Sequence, residues 1–449
     1  MTAFDRFDPF DPIEQRVMAA IDEIATPRRP DYLDAVLGQT ARTSQRPRWT
    51  FLGRWVPFAV TTMPGRRLAY MPSRWITLLA IVALLAIAGT AILIAGSRPK
   101  LPPPIGPAVN GAILFPRGGD IYVRGGVADG LPVMPLITGT AKQSAPSLSP
   151  DGRRFIYVES GEGGDVAWVA DIDGSNRHVV LPYVIEDGWS QWSWALDSAH
   201  ILVSGNFEGG HKRLYDVRAD GSGARELVFE GLLPWEGFWS PTDPNTFLLR
   251  AQRTGGVQSH DLYLVDADGS NLRPLHLQGG QSGFGPEMVL SGAAWAPDGK
   301  TIAYNEIDED PISLRSTFRV HLVNPDGSND RPLPAPDDAR IHQAWPIFSP
   351  DGTGILVQRF ILPSDPPAKD GAGWIALVPA DGSSPGRAIG RRIDLTDTTD
   401  VVKMWSPDGT QVLEWIKALD MAYVVDPVTG VPTELAWPDD LPDWQRLAR

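Results

Sequence analysis

Apolar residues recur in three different rhythms along this 449-residue chain, and each rhythm predicts a different element. Near the start, Ile13, Val17, Ile21 and Ile24 recur at helical spacing. Asp11-Pro-Ile-Glu14 opens that helix with an N-cap, a proline at the first helical position and a capping-box Glu. A second short helix is predicted from Pro30 to Arg42, with Leu33, Val36 and Leu37 on one face. Residues 75–96 then run for 22 positions without a charge, enough at ~1.5 Å per residue to cross ~30 Å of hydrocarbon. From residue 111 the apolar positions gather into short β-branched and aromatic runs, such as Arg154-Phe-Ile-Tyr-Val158 and Asp261-Leu-Tyr-Leu-Val265. Those are strands.

Two turn motifs punctuate the strand-forming part. The first is Trp/Phe-Ser-Pro-Asp-Gly, at 295–299, 348–352 and 405–409, with a close copy at Leu148–Gly152 and worn ones at 194–198 and 239–243. The second is Asp-x-Asp-Gly-Ser-Asn at 171–176 and 266–271, with weaker copies around Gly130, Gly221, Gly327, Gly382 and Gly430. Successive glycines of that series lie 44, 47, 48, 58, 55 and 48 residues apart. Proline presets φ, Asp bonds its own backbone and Gly accepts positive φ, so each motif makes a tight turn. A period of this size with strands between the turns predicts propeller blades.

These repeats resemble the TolB-like β-propeller repeats of bacterial envelope proteins, and the resemblance covers residues 111–449. It implies a mainly β fold of four-stranded antiparallel blades. The first unit (Gly111–Phe115, Asp120–Val123, Leu131–Thr138) lacks an innermost strand, and the last segment, 442–447, reads as an innermost strand without a successor. Trp444 follows Trp405 by 39 residues, a short blade's spacing. Joined, the two pieces give a seven-bladed ring and remove the open edges a sheet must otherwise protect.

Charge then orients the chain. Residues 35–74 hold seven Arg and no acid, whereas only Arg98 and Lys100 flank the far end of the apolar run. Positive residues stay in the cytoplasm, which predicts a single-pass protein of the bacterial inner membrane, N-terminus inside and propeller outside. Residues 1–74 carry a net +3 (eight acids and four bases in 1–34, then seven Arg in 35–74) and 75–110 a net +2, so with −14 for the whole chain residues 111–449 carry −19. An acidic body of that size disfavours nucleic acid. The Pro-rich stretch 97–110 reads as a stiff linker.

In such blades the stereotyped turns share one face, and the long irregular loops (250–260, 278–292, 305–317 and 359–373) share the other. Binding residues favour long loops on a rigid scaffold. Trp189, Trp235, Phe284 and Trp345, near the starts of innermost strands, are therefore the candidate ligand contacts, for sugar stacking or for gripping a peptide; inter-blade packing is the alternative role for each. The Asp-x-Asp loops lack the further carboxylate of a calcium loop: Asn176-Arg-His and Asn271-Leu-Arg follow instead. No Cys is present, no His pair is closely spaced, and no nucleophile elbow, phosphate loop or dinucleotide fingerprint occurs. No cofactor, no metal and no enzymatic activity is expected.

A short helical cytoplasmic segment, one span and an outer propeller also resemble the layout of transmembrane anti-sigma factors, here without the zinc-binding His and Cys. That implies a sigma factor as a partner for residues 1–60, on the face of Ile13, Val17, Ile21 and Ile24. Two readings stay open: an anchored binder of a peptide, protein or glycan, and a signalling protein coupling such binding to a cytoplasmic partner.

Overall fold

Every blade is built around one rung, set by the residue that ends its first strand. A computed structural model describes residues 101–186, 190–254, 260–275, 292–309, 316–362, 371–395, 401–416, 419–437 and 442–448. The expected cytoplasmic helices with Ile13, Val17, Ile21 and Ile24, the span at 75–96, Trp189 and Phe284 lie outside these residues. Among the described residues no helix is long and apolar enough to cross a membrane.

Seven four-stranded antiparallel sheets form, with strands A to D in each. Six follow the chain without a break, beginning at A strands Lys142–Leu148, Ser190–Trp194, Leu232–Trp239, Ala293–Trp295, His342–Phe348 and Val401–Trp405 (blades 2 to 7). Blade 1 takes Val109–Arg117, Asp120–Arg124 and Met134–Ile137 from one end of this region and its A strand, Asp443–Leu447, from the other. The chain is a seven-bladed β-propeller. In every blade the A strand's large apolar residue faces a buried apolar residue of B: Trp194 opposite Ile201, Trp295 opposite Ile302, Trp405 opposite Val412 and, across the closure, Trp444 opposite Ile113.

The turn chemistry explains why A and B meet in this register. Asp298, Asp351 and Asp408 each accept the backbone N–H two residues on, at 3.0, 3.0 and 2.9 Å. Worn copies keep the bond: Asp197 accepts from Ala199 at 2.8 Å and Asp243 from Asn245 at 2.9 Å. The following Gly409 sits at φ 76°, a conformation other residues rarely adopt; in blade 3 Ser198 holds φ 54° instead.

The apolar interior lies between the blades, because a B strand buries both faces. Phe155 and Tyr157 pack with Leu114 and Ile121 of blade 1, while Ile156 between them packs with Ile201 and Val203 of blade 3. The period-2 alternation of a strand thus feeds two neighbouring junctions. At the closure, Ile113, Phe115 and Trp444 pack with Leu413, Trp415 and Trp437 of blade 7.

The second half of the Pro-rich stretch is held against the turn face. Ala108 donates to the carbonyl of Pro407 at 2.8 Å. Arg446, on the closing strand, donates to the carbonyls of Pro103, at 3.1 Å, and Gly106. Pro102 is buried.

Candidate functional site

Four successive B strands interrupt an apolar run at the same place: Ile201-Leu-Val-Ser204, Phe247-Leu-Leu-Arg250, Ile302-Ala-Tyr-Asn305 and Ile355-Leu-Val-Gln358. Shared register puts the four polar side chains on one rung of blades 3 to 6. All are buried, at 1%, 3%, 0% and 2% exposure. Arg250 lies three residues before the end of its B strand, Thr246–Arg253, so the rung belongs to the half of the blade that carries the long loops. Buried polar groups need partners, and a row of them across four blades needs an explanation.

Part of the explanation is internal. Arg250 Nε donates to Glu236 Oε2 at 2.8 Å, and both side chains are almost fully shielded from solvent. Asn305 Oδ1 accepts the backbone N–H of Trp345 at 2.8 Å, which ties blade 5 to blade 6 and fixes the direction of the Asn305 amide. Arg250 Nη1, Glu236 Oε1 and Asn305 Nδ2 remain without a hydrogen-bond partner, as does Ser204 Oγ on the same rung. Gly292, which has no side chain of its own, lies beside Arg250 and Asn305. A Cβ there would lie 3.8 Å from Arg250 Cδ, 3.8 Å from Asn305 Nδ2 and 4.0 Å from Arg250 Nε.

Trp235 and Trp345 frame this space from A-strand bulges. Trp235 stands at the bulge between Pro234 and Glu236, with Lys212 Nζ 4.5 Å and the Arg250 guanidinium 5.6 Å from its ring centre, and His260 edge-on at 4.6 Å. Burial holds the His260 imidazole down at about 3, and the positive charges of Arg250 and Lys212 push the same way, so it is neutral at pH 7. Trp345 occupies the bulge between Ala344 and Ile347 at φ 54°, stacked on Phe360. A bulky residue held in the left-handed region stores ~1–3 kcal/mol of strain, a feature that collects at functional sites. The two indoles are 9% and 4% exposed. As they stand they support the rung from within and present no open stacking face.

The structure therefore brings Trp235 and Trp345 to one region, beside residues the sequence reading passed over: Glu236, Arg250, Asn305 and Gly292. For Arg250 and Asn305 the signal was present as a polar residue at a fixed offset after the A–B turns of blades 3 to 6.

A second polar group lies in blade 5. His321 sits between Glu306, at 2.7 Å from Nε2, and Asp330, at 3.2 Å from Nδ1, and Tyr304 donates to Asp330 at 2.8 Å. Burial and the Asp330 contact raise the Tyr304 phenol far above its ordinary value. Among the described residues no set of three His, Asp or Glu is arranged to hold a metal ion. The Asp173 and Asp268 carboxylates bond their own turns, through the N–H groups of Ser175 and Ser270. On the turn face a cleft of about 570 Å³ opens between blades 6 and 7, walled by Leu377, Trp405, Pro427 and Val428. Its cation, Arg387, is held by the carbonyls of Pro427 and Val428. The rung has the stronger case, because its polar atoms are buried and incompletely used.

Blade 7 carries a buried pair with a testable pH signature. Lys403 and Glu414 face each other across strands A and B. Burial lowers Lys403 from 10.5 to about 7, partly opposed by the charge of Glu414. Burial likewise raises Glu414 from 4.5 to about 7, partly opposed by the Arg391 N–H and by Lys403. The native state therefore holds its Glu414 proton more tightly than the unfolded chain does, which erodes stability as pH rises from 4.5 to 7. It holds the Lys403 proton less tightly, which restores stability as pH rises from 7 to 10.5. Compared with a Lys403→Met/Glu414→Leu double variant, the parent should be least stable near pH 7 and recover on either side. Urea melts across that range measure it, and a pH-independent difference would contradict it.

No family model matches the chain, and no curated protein matches it. Solved structures do. It is similar to TolB from Acinetobacter baumannii at 16% identity, over 75% of this chain and 66% of that one, with a TM-score of 0.43. A putative TolB from Agrobacterium tumefaciens matches at 20% identity, over 68% and 97%, with a TM-score of 0.43. An oligogalacturonate lyase from Vibrio parahaemolyticus matches at 15% identity, over 70% and 91%, with a TM-score of 0.47. The assignment of the propeller stands on the seven sheets themselves.

Proposed function

We propose that this chain is a non-enzymatic binding protein of the bacterial envelope, anchored by residues 75–96, whose propeller holds a peptide, protein or glycan at the loop-side rung of blades 3 to 6. One observation carries the reading: Arg250 Nη1, Glu236 Oε1 and Asn305 Nδ2 are buried without hydrogen-bond partners on this rung and its ion pair, and Gly292 brings no side chain against Arg250 and Asn305. A scaffold gains nothing by burying such atoms, whereas a ligand can satisfy them. Full-length protein in nanodiscs, offered to peptide, protein and glycan arrays, should bind one class saturably and return it chemically unchanged. Asn305→Asp, which keeps the acceptor for Trp345 and removes the donor, should weaken that binding. Absence of saturable binding to all three classes would end the proposal.

Signalling to a cytoplasmic partner through Ile13, Val17, Ile21 and Ile24 is the second reading. It draws support from Arg446, which joins the Pro-rich stretch to the strand that closes the ring. A change in the ring seam would thereby reach the linker.

A further inference from the structure

Val428 breaks the pattern of the C–D turns. In blades 2 to 6 the turn reads x-Asp-Gly-Ser, at 172–175, 219–222, 267–270, 325–328 and 380–383, whereas blade 7 has Pro427-Val-Thr-Gly430. Val428 thereby takes the place that Asp173 and Asp268 hold in blades 2 and 4. It is 83% exposed, the most exposed large apolar side chain among the described residues. It also lines the cleft of about 570 Å³ between blades 6 and 7, together with Leu377, Pro379 and Trp405. Ligand sites occupy ~300–1,000 Å³, and an exposed apolar group beside such a space marks a contact surface.

Charge and hydrogen bonding define what would fill it. Asp351 lines the cleft, and Asp408 and Asp426 directly precede two further lining residues, Gly409 and Pro427. Each carboxylate accepts a backbone N–H of its own turn through Oδ1, and none of the three forms a salt bridge among the described residues. Arg387 is the one cation among the lining residues, so three carboxylates face one guanidinium. Free hydrogen-bonding groups are scarce. The Ser349 and Thr353 hydroxyls donate to Asp351 at 2.6 and 2.9 Å, and Arg387 donates to the carbonyls of Pro427 and Val428. A β-strand laid here would find little to pair with. A polyproline II segment, whose backbone stays solvated, needs only apolar and aromatic walls.

The chain itself shows what a cleft of this face takes. On the other side of the blade 6 turn, a cleft of about 460 Å³ between blades 5 and 6 is lined by Pro297, Phe348 and Pro350, and by Gly106 and Pro107 of the chain's own Pro-rich stretch. Asp351 borders both clefts. We propose that the cleft between blades 6 and 7 is a second binding site, on the face opposite the rung, for an extended proline-rich segment of a partner protein with basic residues on either side of an apolar centre. The prolines and the central apolar side chain pack on Leu377, Trp405 and Val428, and the flanking cations face Asp351, Asp408 and Asp426. The net charge of −19 over residues 111–449 draws such a segment in.

The test titrates full-length protein in nanodiscs with three fluorescent heptapeptides blocked at both ends. They are Arg-Pro-Pro-Leu-Pro-Pro-Lys, the acidic Glu-Pro-Pro-Leu-Pro-Pro-Glu, and the proline-free basic Arg-Val-Thr-Leu-Val-Thr-Lys. The first should bind saturably and ~10-fold or more tighter than either of the others, the equivalent of ~1.4 kcal/mol. Val428→Lys, which removes an apolar wall and adds a cation, should weaken the first peptide by a similar factor. Its melting temperature should stay near that of the parent, because the side chain is exposed and only the backbone of Val428 bonds to Asp426 and Arg387. Val228→Lys adds the same charge at a 77% exposed position of blade 3 and should leave the affinity unchanged. Equal or tighter binding of the acidic peptide would overturn the charge assignment, and equal binding of the proline-free peptide would overturn the polyproline one. Full affinity in Val428→Lys would place the peptide elsewhere, and an equal loss in Val228→Lys would reduce the effect to overall charge; either overturns the site. No saturable binding of the first peptide would overturn the proposal outright, and would leave the reading of the rung, which rests on other residues, as it was.

Discussion

Deleting residues 442–449 from the full chain is expected to produce the largest loss of stability of any short truncation in the propeller. The deleted strand supplies blade 1 with its A strand and pairs with Val109, Asn110, Ile113 and Leu114. It also removes Trp444, 4% exposed, from the junction with blade 7. Losing a buried large aromatic costs ~3–5 kcal/mol by itself, against a net stability of ~5–15 kcal/mol for a domain. Further bonds go with it. Asp443 Oδ2 accepts from Leu148 of blade 2 at 2.5 Å, Gln445 Oε1 accepts from Ala112 at 3.1 Å, and Gln445 Nε2 donates to Gly152 at 2.7 Å. What remains is a bare strand edge at Val109–Arg117, a template for pairing with another chain. Thermal melts should therefore show a large drop in midpoint or aggregation, with Trp444→Ala giving an intermediate loss. If both variants melt within about a degree of the parent, the strand does not hold the ring closed.

Breaking the Glu236–Arg250 pair one side at a time should be the next most damaging change. Arg250→Met leaves a carboxylate at 0% exposure without its cation. Such a break costs ~3–5 kcal/mol, because the stranded charge loses both water and partner. Glu236→Leu/Arg250→Met removes both charges and keeps the volume, and should return to within ~1 kcal/mol of the parent or exceed it. The double variant should also lose the ligand while staying folded. This separates the two roles of the pair: stability depends on its being matched, binding on its being charged. Chemical denaturation of the parent, both single variants and the double variant gives the coupling directly. Additive losses in the double variant would show that the two groups do not act as a pair.

The architecture was legible because its information is local. Pro350, Asp351 and Gly352 fix a turn whatever surrounds them, and six copies of such turns at a blade's spacing leave little choice of fold. The ring closure was legible for a different reason: a first unit without an A strand and a last strand without a successor can complete only each other. The site was harder to read. Trp235 and Trp345 stand out as aromatic residues near A-strand starts, but each occupies a bulge, at Pro234/Glu236 and Ala344/Ile347. A bulge takes its residue out of the strand's alternation and here turns the indole into the junction. Where a bulge falls depends on pairing with the neighbouring strand, which one chain's sequence does not display. Arg250 and Asn305 were legible in principle, through the polar residue that breaks the apolar run in the B strands of blades 3 to 6. Their unpartnered atoms were not, since satisfaction is a property of three dimensions.

The closure also sets a clock on how the molecule is made. The indole N–H of Trp444 bonds to the carbonyl of Gly111 across a sequence separation of 333 residues. A ribosome adding ~5–20 residues per second needs on the order of half a minute to bring those two groups into existence together. Blades 2 to 7 each emerge whole and can assemble as they appear, whereas the strand Val109–Arg117, among the first of the ring to be made, must wait for the last. During that interval its unpaired edge is open to pairing with a neighbouring chain in place of its own end.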